Sequence, residues 1–361
     1  MDKVIVFPKL KQAEFNKTLK RRVRSYFKEN NISKYSDYRM VLKTIFMLSL
    51  YFGPYFLMIF GVISSPWLVL LMWFLMGLGM SGIGLSIMHD ANHGAYSKHQ
   101  KVNNVIGYVI NLVGGNSINW KIQHNILHHS YTNIHHLDED IAPGKVLRLC
   151  PHEERLPHHK YQHIYAWFVY TLMTLMWSTT KDFRQLFRFK RENLLRLQSR
   201  SFQFRITELF ISKAIYFGYI LVIPLIFIQT SWWIILIGYV IMHMFCGLFL
   251  ACVFQPAHVV PETEYPVPDD QGNMENHWAI HQLLTTTNFA PSSKIFSWFV
   301  GGLNYQIEHH LFPNVCHVHY RKLSEIVRKT AKEFSLPYYT QPSFLRALIQ
   351  HGRMLYKLGR T

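Results

Sequence analysis

Residues 41–63 read VLKTIFMLSLYFGPYFLMIFGVI, Ser64-Ser65-Pro66 follow, and residues 67–88 read WLVLLMWFLMGLGMSGIGLSIM. Lys43 is the only charge in either apolar stretch. A helix of this length, rising about 1.5 Å per residue, crosses a hydrocarbon core of about 30 Å. The uncharged linker is so short that the second helix must return to the side from which the first began. Gly77, Gly79, Gly82 and Gly84 predict one nearly bare flank on that second helix, fit for close helix approach. At its end stands His89-Asp90-Ala91-Asn92-His93.

The arrangement recurs downstream. An apolar stretch from about Ile211 to Ile228, the uncharged turn Gln229-Thr230-Ser231 and a second stretch from Trp232 to Phe254 make another antiparallel pair, with Lys213 snorkelling near its mouth and Pro224 as a kink. The composition agrees, at 49% hydrophobic and 15% aromatic residues. The expected fold is an all-α integral membrane protein: four transmembrane helices, interfacial helices and a cytoplasmic helical cap. One domain is expected over residues 1–361. It comprises a basic segment at 1–40, spans at 41–88, a polar region at 89–205, spans at 211–254 and a polar region at 255–361.

Net charge is +17, concentrated in runs that flank the apolar stretches, Lys9 to Lys43, Lys181 to Arg205 and Arg321 to Lys332. No nucleic-acid motif accompanies them, and Lys and Arg collect on the cytoplasmic side of membrane spans. Both termini and all large loops are therefore expected in the cytoplasm. The four cysteines form no CxxC pair, as in a reduced compartment. No cleaved signal peptide is read, because the first apolar run begins some forty residues in. Met1 to Arg39 is read as a basic amphipathic helix on the cytoplasmic leaflet, or a solvated arm. Residues 105–118 are too short to span. Ile164 to Thr180, rich in aromatics, is read as an interfacial helix, because a crossing there would put the basic run 181–205 on the wrong side.

The polar regions hold histidines at regular spacings. His89 and His93 are four apart, with Asp90 placed to hold an imidazole through its second nitrogen. His124, His128 and His129 are four and five apart and share one face if the stretch is helical. His258 stands at the end of the fourth span as His89 does at the end of the second, and Gln306-Ile307-Glu308-His309-His310 closes the series, with Glu308 as a supporting acceptor. His99 is read as exposed and His243 as structural. His135, His136 and Asp138 to Asp140 are read as solvated or hydrogen-bonded, and His277, His281, His317 and His319 as polar surface or outer support. Eight imidazoles exceed the needs of one ion, so two adjacent ions are expected, although imidazole alone does not select the metal. At the mouth of a membrane bundle, a pair of irons would activate dioxygen toward an unactivated C–H bond.

Three of these stretches, His89 to His93, His124 to His129 and Gln306 to His310, resemble the histidine boxes of the membrane fatty-acid desaturase family. The likeness runs from about Ser81 to Tyr320 and includes Trp278 to Phe289 and Asn304-Tyr305-Gln306. Gln306, at the first position of the third box, is similar to the front-end branch, which desaturates toward the carboxyl end. The resemblance implies a di-iron centre on His89, His93, His124, His128, His129, His258, His309 and His310. Asp90, Asn304, Gln306 and Glu308 would stand behind these ligands. It further implies dioxygen as oxidant and an acyl chain on CoA or a lipid. No fused haem motif His-Pro-Gly-Gly occurs, so a separate ferredoxin or cytochrome b5 would supply electrons. A related hydroxylase is the alternative enzyme. A histidine-rich metal transporter would need ionisable groups deep in the spans, whereas these clusters lie just outside them.

Overall fold

The computed structural model describes residues 5–10, 12–197 and 200–361. Residues 1–4 and 11 of the basic N-terminal segment, and 198 and 199 of the basic run, lie outside the described residues. Among the described residues, four helices are long and apolar enough to cross a membrane: Tyr38–Ile59, Pro66–Asn92, Phe202–Phe227 and Trp232–His258. They coincide with the four expected spans. The chain divides into two compact units, one of residues 37–122 and 167–251, the other of residues 1–36, 123–166 and 252–361.

In the first of these units, which carries most of the spans, Asp37 caps the first span by accepting from the Arg39 amide at 2.9 Å. The glycines of the second span serve two faces, not one flank. A Cβ at Gly79 would meet the Tyr51 amide nitrogen at 2.6 Å, and Gly82 abuts Met47, so this pair faces the first span. A Cβ at Gly77 would meet the Met242 carbonyl oxygen at 2.9 Å, and Gly84 faces Leu250, so these two face the fourth. Helical geometry separates the faces: positions 77 and 79 are two residues, about 200°, apart, whereas 79 and 82, or 77 and 84, return to one side.

Lys213 does not snorkel to water. It is 4% exposed and donates to Asp182 Oδ2 at 2.6 Å, to the Gly114 carbonyl at 2.7 Å and to the Trp177 carbonyl at 2.8 Å, which satisfies all three ammonium hydrogens. The aromatic segment expected at an interface folds as short pieces, Gln162–Thr171, Met173–Met176 and a π turn at Trp177–Lys181. It is held against the fourth span, where Thr174 donates to the His243 carbonyl at 2.8 Å. His243 itself meets Tyr216 Oη at 2.6 Å and has the structural role expected of it.

In the other unit the N-terminal helix Ala13–Glu29 places Phe15, Leu19 and Val23, four residues apart, against Leu323, Val327 and Ala331 of helix Tyr320–Glu333. Its apolar face is thus covered by its own chain, not by a lipid leaflet or water. Arg22 ties the two helices by donating to Glu333 at 2.6 Å and Thr330 at 2.9 Å. A two-residue parallel pairing, Asn288–Phe289 with Thr340–Gln341, is the one named sheet among the described residues. The C-terminal helix Phe344–Leu358 is fastened by His351, whose Nδ1 lies 2.8 Å from the Val259 carbonyl.

Candidate metal centre

His124 and His128 lie on a π-helix, Lys121–His128, and His129 opens the short α-helix after it. In an α-helix residues five apart point about 140° away from each other. A π turn closes its hydrogen bonds five residues back, so it brings such residues one above the other. His124 and His129 accordingly meet, Nε2 to Nε2 at 3.3 Å. A π segment, Ile83–Ile87, also directly precedes the short helix Met88–Asn92 that carries His89.

Within the unit formed by residues 1–36, 123–166 and 252–361, six of the eight predicted histidines come together. His128, His258 and His310 form a nearly equilateral triangle, with ring centroids 4.7, 4.8 and 4.9 Å apart. One ligand atom from each lies within 4.8 Å of the others. Beside it, His129 Nε2 approaches His309 Nε2 at 2.9 Å, and the His129 and His310 rings stack at 4.3 Å. The result is two adjoining groups of imidazole nitrogens.

The outer nitrogens are braced. His128 Nδ1 lies 3.0 Å from both oxygens of Asp138, His258 Nδ1 lies 3.2 Å from the Thr285 carbonyl, and His310 Nδ1 lies 2.8 Å from Gln282 Oε1. His309 Nδ1 meets Tyr320 Oη at 3.2 Å. A hydrogen on each Nδ1 satisfies these contacts and leaves Nε2 as a lone-pair donor. The Nε2 atoms of His128 and His258 are buried and have no hydrogen-bond partner among the described residues. A buried imidazole lone pair without a donor is costly, and a cation would remove that cost, so this donor set fits a metal.

Asp138 is fully buried and takes the hydrogen-bonded role of the two read for its neighbourhood, not the solvated one; its tie to His128 was not foreseen. Its carboxylate also accepts from the Asn133 and Asp140 amides, and Asn133 takes a positive φ of 58° that turns the chain back toward His128. Burial pushes His128 down, but the Asp138 carboxylate outweighs it and holds the imidazole above its ordinary value. Gln282, Thr285 and Tyr320 were missed as well, since no spacing rule joins them to the histidines. His281 is buried, and its Nε2 lies 2.8 Å from the Thr132 carbonyl; burial takes it down to about 4, so it donates as a neutral ring.

Glu308 is turned to Asn288 Nδ2 at 2.8 Å and Tyr338 Oη at 2.9 Å; burial lifts its carboxyl to about 7 against these hydrogen bonds. Asn304 donates to the Phe289 carbonyl at 3.1 Å and to Ser297 Oγ at 2.9 Å, bracing the turn before Gln306, which is itself buried. In the other unit, His89 and His93 stand with ring centroids 4.7 Å apart, each edge-on to Trp120. Asp90 Oδ1 lies 3.8 Å from His89 Nδ1.

A sequence model of the fatty acid desaturase family matches residues 65–342, which takes in every one of these histidines. The chain belongs to the fatty acid desaturase family. It is 39% identical over 96% of its length to an acyl-lipid (8-3)-desaturase of Physcomitrium patens, covering 72% of that protein. It is 37% identical over 97% of its length to the sn-1 linoleoyl-lipid 6-desaturase of Arthrospira platensis, covering 94% of it. A probable Delta(5) fatty acid desaturase of Dictyostelium discoideum is 32% identical over 98% of the chain and is covered to 78%. The desaturase is therefore an oxidoreductase and an integral membrane protein, with histidine clusters able to hold metal.

Proposed function

We propose that this desaturase inserts a cis double bond on the carboxyl side of a fixed position or existing double bond, in an acyl chain carried on a membrane lipid. The names of its relatives support both the front-end position and the lipid carrier. The observation that carries the reading is the braced triangle of His128, His258 and His310 beside His124, His129 and His309. Two adjoining imidazole groups suit a di-iron centre. Bound there, two irons supply the activation of dioxygen that removal of hydrogen from an unactivated methylene pair requires. The residues of the chain do the rest: Asp138, Thr285 and Gln282 hold His128, His258 and His310 in one tautomer, Tyr320 positions His309, and the apolar ring of Phe254, 5.0 Å from both His128 and His258, shields that side from water. The whole chain acts as one domain, with both termini and the histidines on the cytoplasmic face.

The deciding experiment expresses the chain in a host that makes linoleate and maps double bonds in its lipid classes by gas chromatography and mass spectrometry. A new double bond nearer the carboxyl end, appearing first in intact lipids, is the expected product. A hydroxylated chain, or product appearing first in the acyl-CoA pool, would overturn the corresponding part of the reading. His128→Ala and His309→Ala should each abolish product while the protein stays in the membrane fraction, and full activity in either would remove these residues from the site.

A further inference from the structure

Desaturation by dioxygen sets an electron requirement. A CH2–CH2 unit, O2, two protons and two electrons yield CH=CH and two waters, so the substrate supplies only half of the four electrons that O2 accepts. The other two must enter from outside. An open groove of about 600 Å³ lies at the C-terminal end of helix Ala13–Glu29, lined by Arg24, Phe27, Lys28 and Lys34 among others, with no acidic side chain in its lining. Arg24 and Lys28 are exposed, and Lys34 is half-buried.

The floor of this groove is connected to the candidate metal centre. The Lys34 carbonyl accepts from the Cys316 amide at 2.9 Å, and the Tyr35 carbonyl lies 3.3 Å from His319 Nε2. Phe27 meets the His319 ring edge-on, with centroids 5.1 Å apart. The next residue, Tyr320, reaches His309 Nδ1 at 3.2 Å through its hydroxyl. From Phe27 to His309 there is thus an unbroken succession of ring contact, one peptide link and one hydrogen bond, all within one compact unit.

We propose that this groove is the docking site of an acidic one-electron carrier protein, and that its electrons enter beside His309. The proposal rests on the desaturase reading above. Each docked carrier is oxidised by one electron, and two dockings complete a turnover. No bond within the chain is made or broken. Arg24, Lys28 and Lys34 supply steering and contact with an acidic surface, which predicts affinity that falls steeply with salt.

The test uses the full chain in nanodiscs of neutral phosphatidylcholine, with an acidic plant-type [2Fe–2S] ferredoxin as probe. Binding is measured by thermophoresis across a salt series, and turnover is measured with linoleoyl lipid. The double variant Arg24→Glu/Lys28→Glu should weaken ferredoxin binding at least tenfold and flatten its salt dependence. It should raise KM for ferredoxin by a similar factor, while kcat at saturating ferredoxin stays within twofold and metal content is unchanged. Arg184→Glu/Arg191→Glu, which reverses two exposed charges elsewhere, should leave both constants within twofold. Equal losses in the two double variants would overturn the location. So would an unchanged ferredoxin affinity with weakened binding to anionic vesicles, which would make the groove a lipid-surface contact. A wild-type chain that forms no double bond with any reductant would instead defeat the desaturase reading, whatever the groove binds.

Discussion

Asp138 shows what one carboxylate does for a neighbouring imidazole. It holds His128 in the tautomer that points Nε2 inward, and such outer partners are worth about 10- to 100-fold in metal affinity. Asp138→Asn should therefore lower iron affinity by about that factor while the protein still folds, as measured by metal analysis after reconstitution at graded iron concentrations. Lys213 is a second single residue with a large expected effect. Lys213→Ala leaves the Asp182 carboxylate buried and uncompensated, at a cost of about 3–5 kcal/mol. Thermal unfolding in detergent should show that loss, and adding Asp182→Asn should recover much of it. An unaltered melting temperature in the single variant would mean that water reaches Asp182.

The elements divide into those that composition makes readable and those that depend on where the chain folds back. The four spans were legible because length and hydropathy alone select them, and the histidine spacings because a helix has a fixed period. Asp138 was not, because its tie to His128 runs through a turn at Asn133 whose positive φ leaves no periodic trace. The π turn under His124 to His129 was equally hidden: it follows from hydrogen bonds closing one residue further back, and the residue types do not announce that. The glycines of the second span were recognised as contact points, but their assignment to two neighbours needed the packing itself. That assignment has a direct test. Gly79→Ala should lose about 1–3 kcal/mol of stability, since its Cβ would press on the backbone of the first span. Gly53→Ala, with nothing within 4 Å of the added carbon, should be neutral or should stabilise its helix by about 0.5–1 kcal/mol. Thermal unfolding of the pair side by side decides the point, and equal losses would contradict the close approach at Gly79.

At the scale of the molecule, the candidate metal centre joins segments distant in the chain: residues 124–129, His258 and residues 309–310. A ligand that binds only the folded form stabilises it by mass action, by about 4 kcal/mol at a thousandfold excess over its Kd. Iron removal by a chelator should therefore lower the melting temperature by several degrees and speed proteolysis of this unit, with recovery when ferrous iron is restored. No change in either would show that the imidazoles are held without metal.

The pairing of helix Ala13–Glu29 with helix Tyr320–Glu333 bears on synthesis. The two are separated by about 290 residues, so at roughly 5–20 residues per second the first helix is complete some 15–60 s before its partner emerges from the ribosome. During that interval Phe15, Leu19 and Val23 have no apolar surface of their own chain to cover them, while Lys17, Lys20, Arg21 and Arg24 line the opposite side. A helix of this kind rests on an anionic leaflet. An anionic surface would thus be open to this helix only until helix Tyr320–Glu333 is made, after which the apolar face is covered by its own chain.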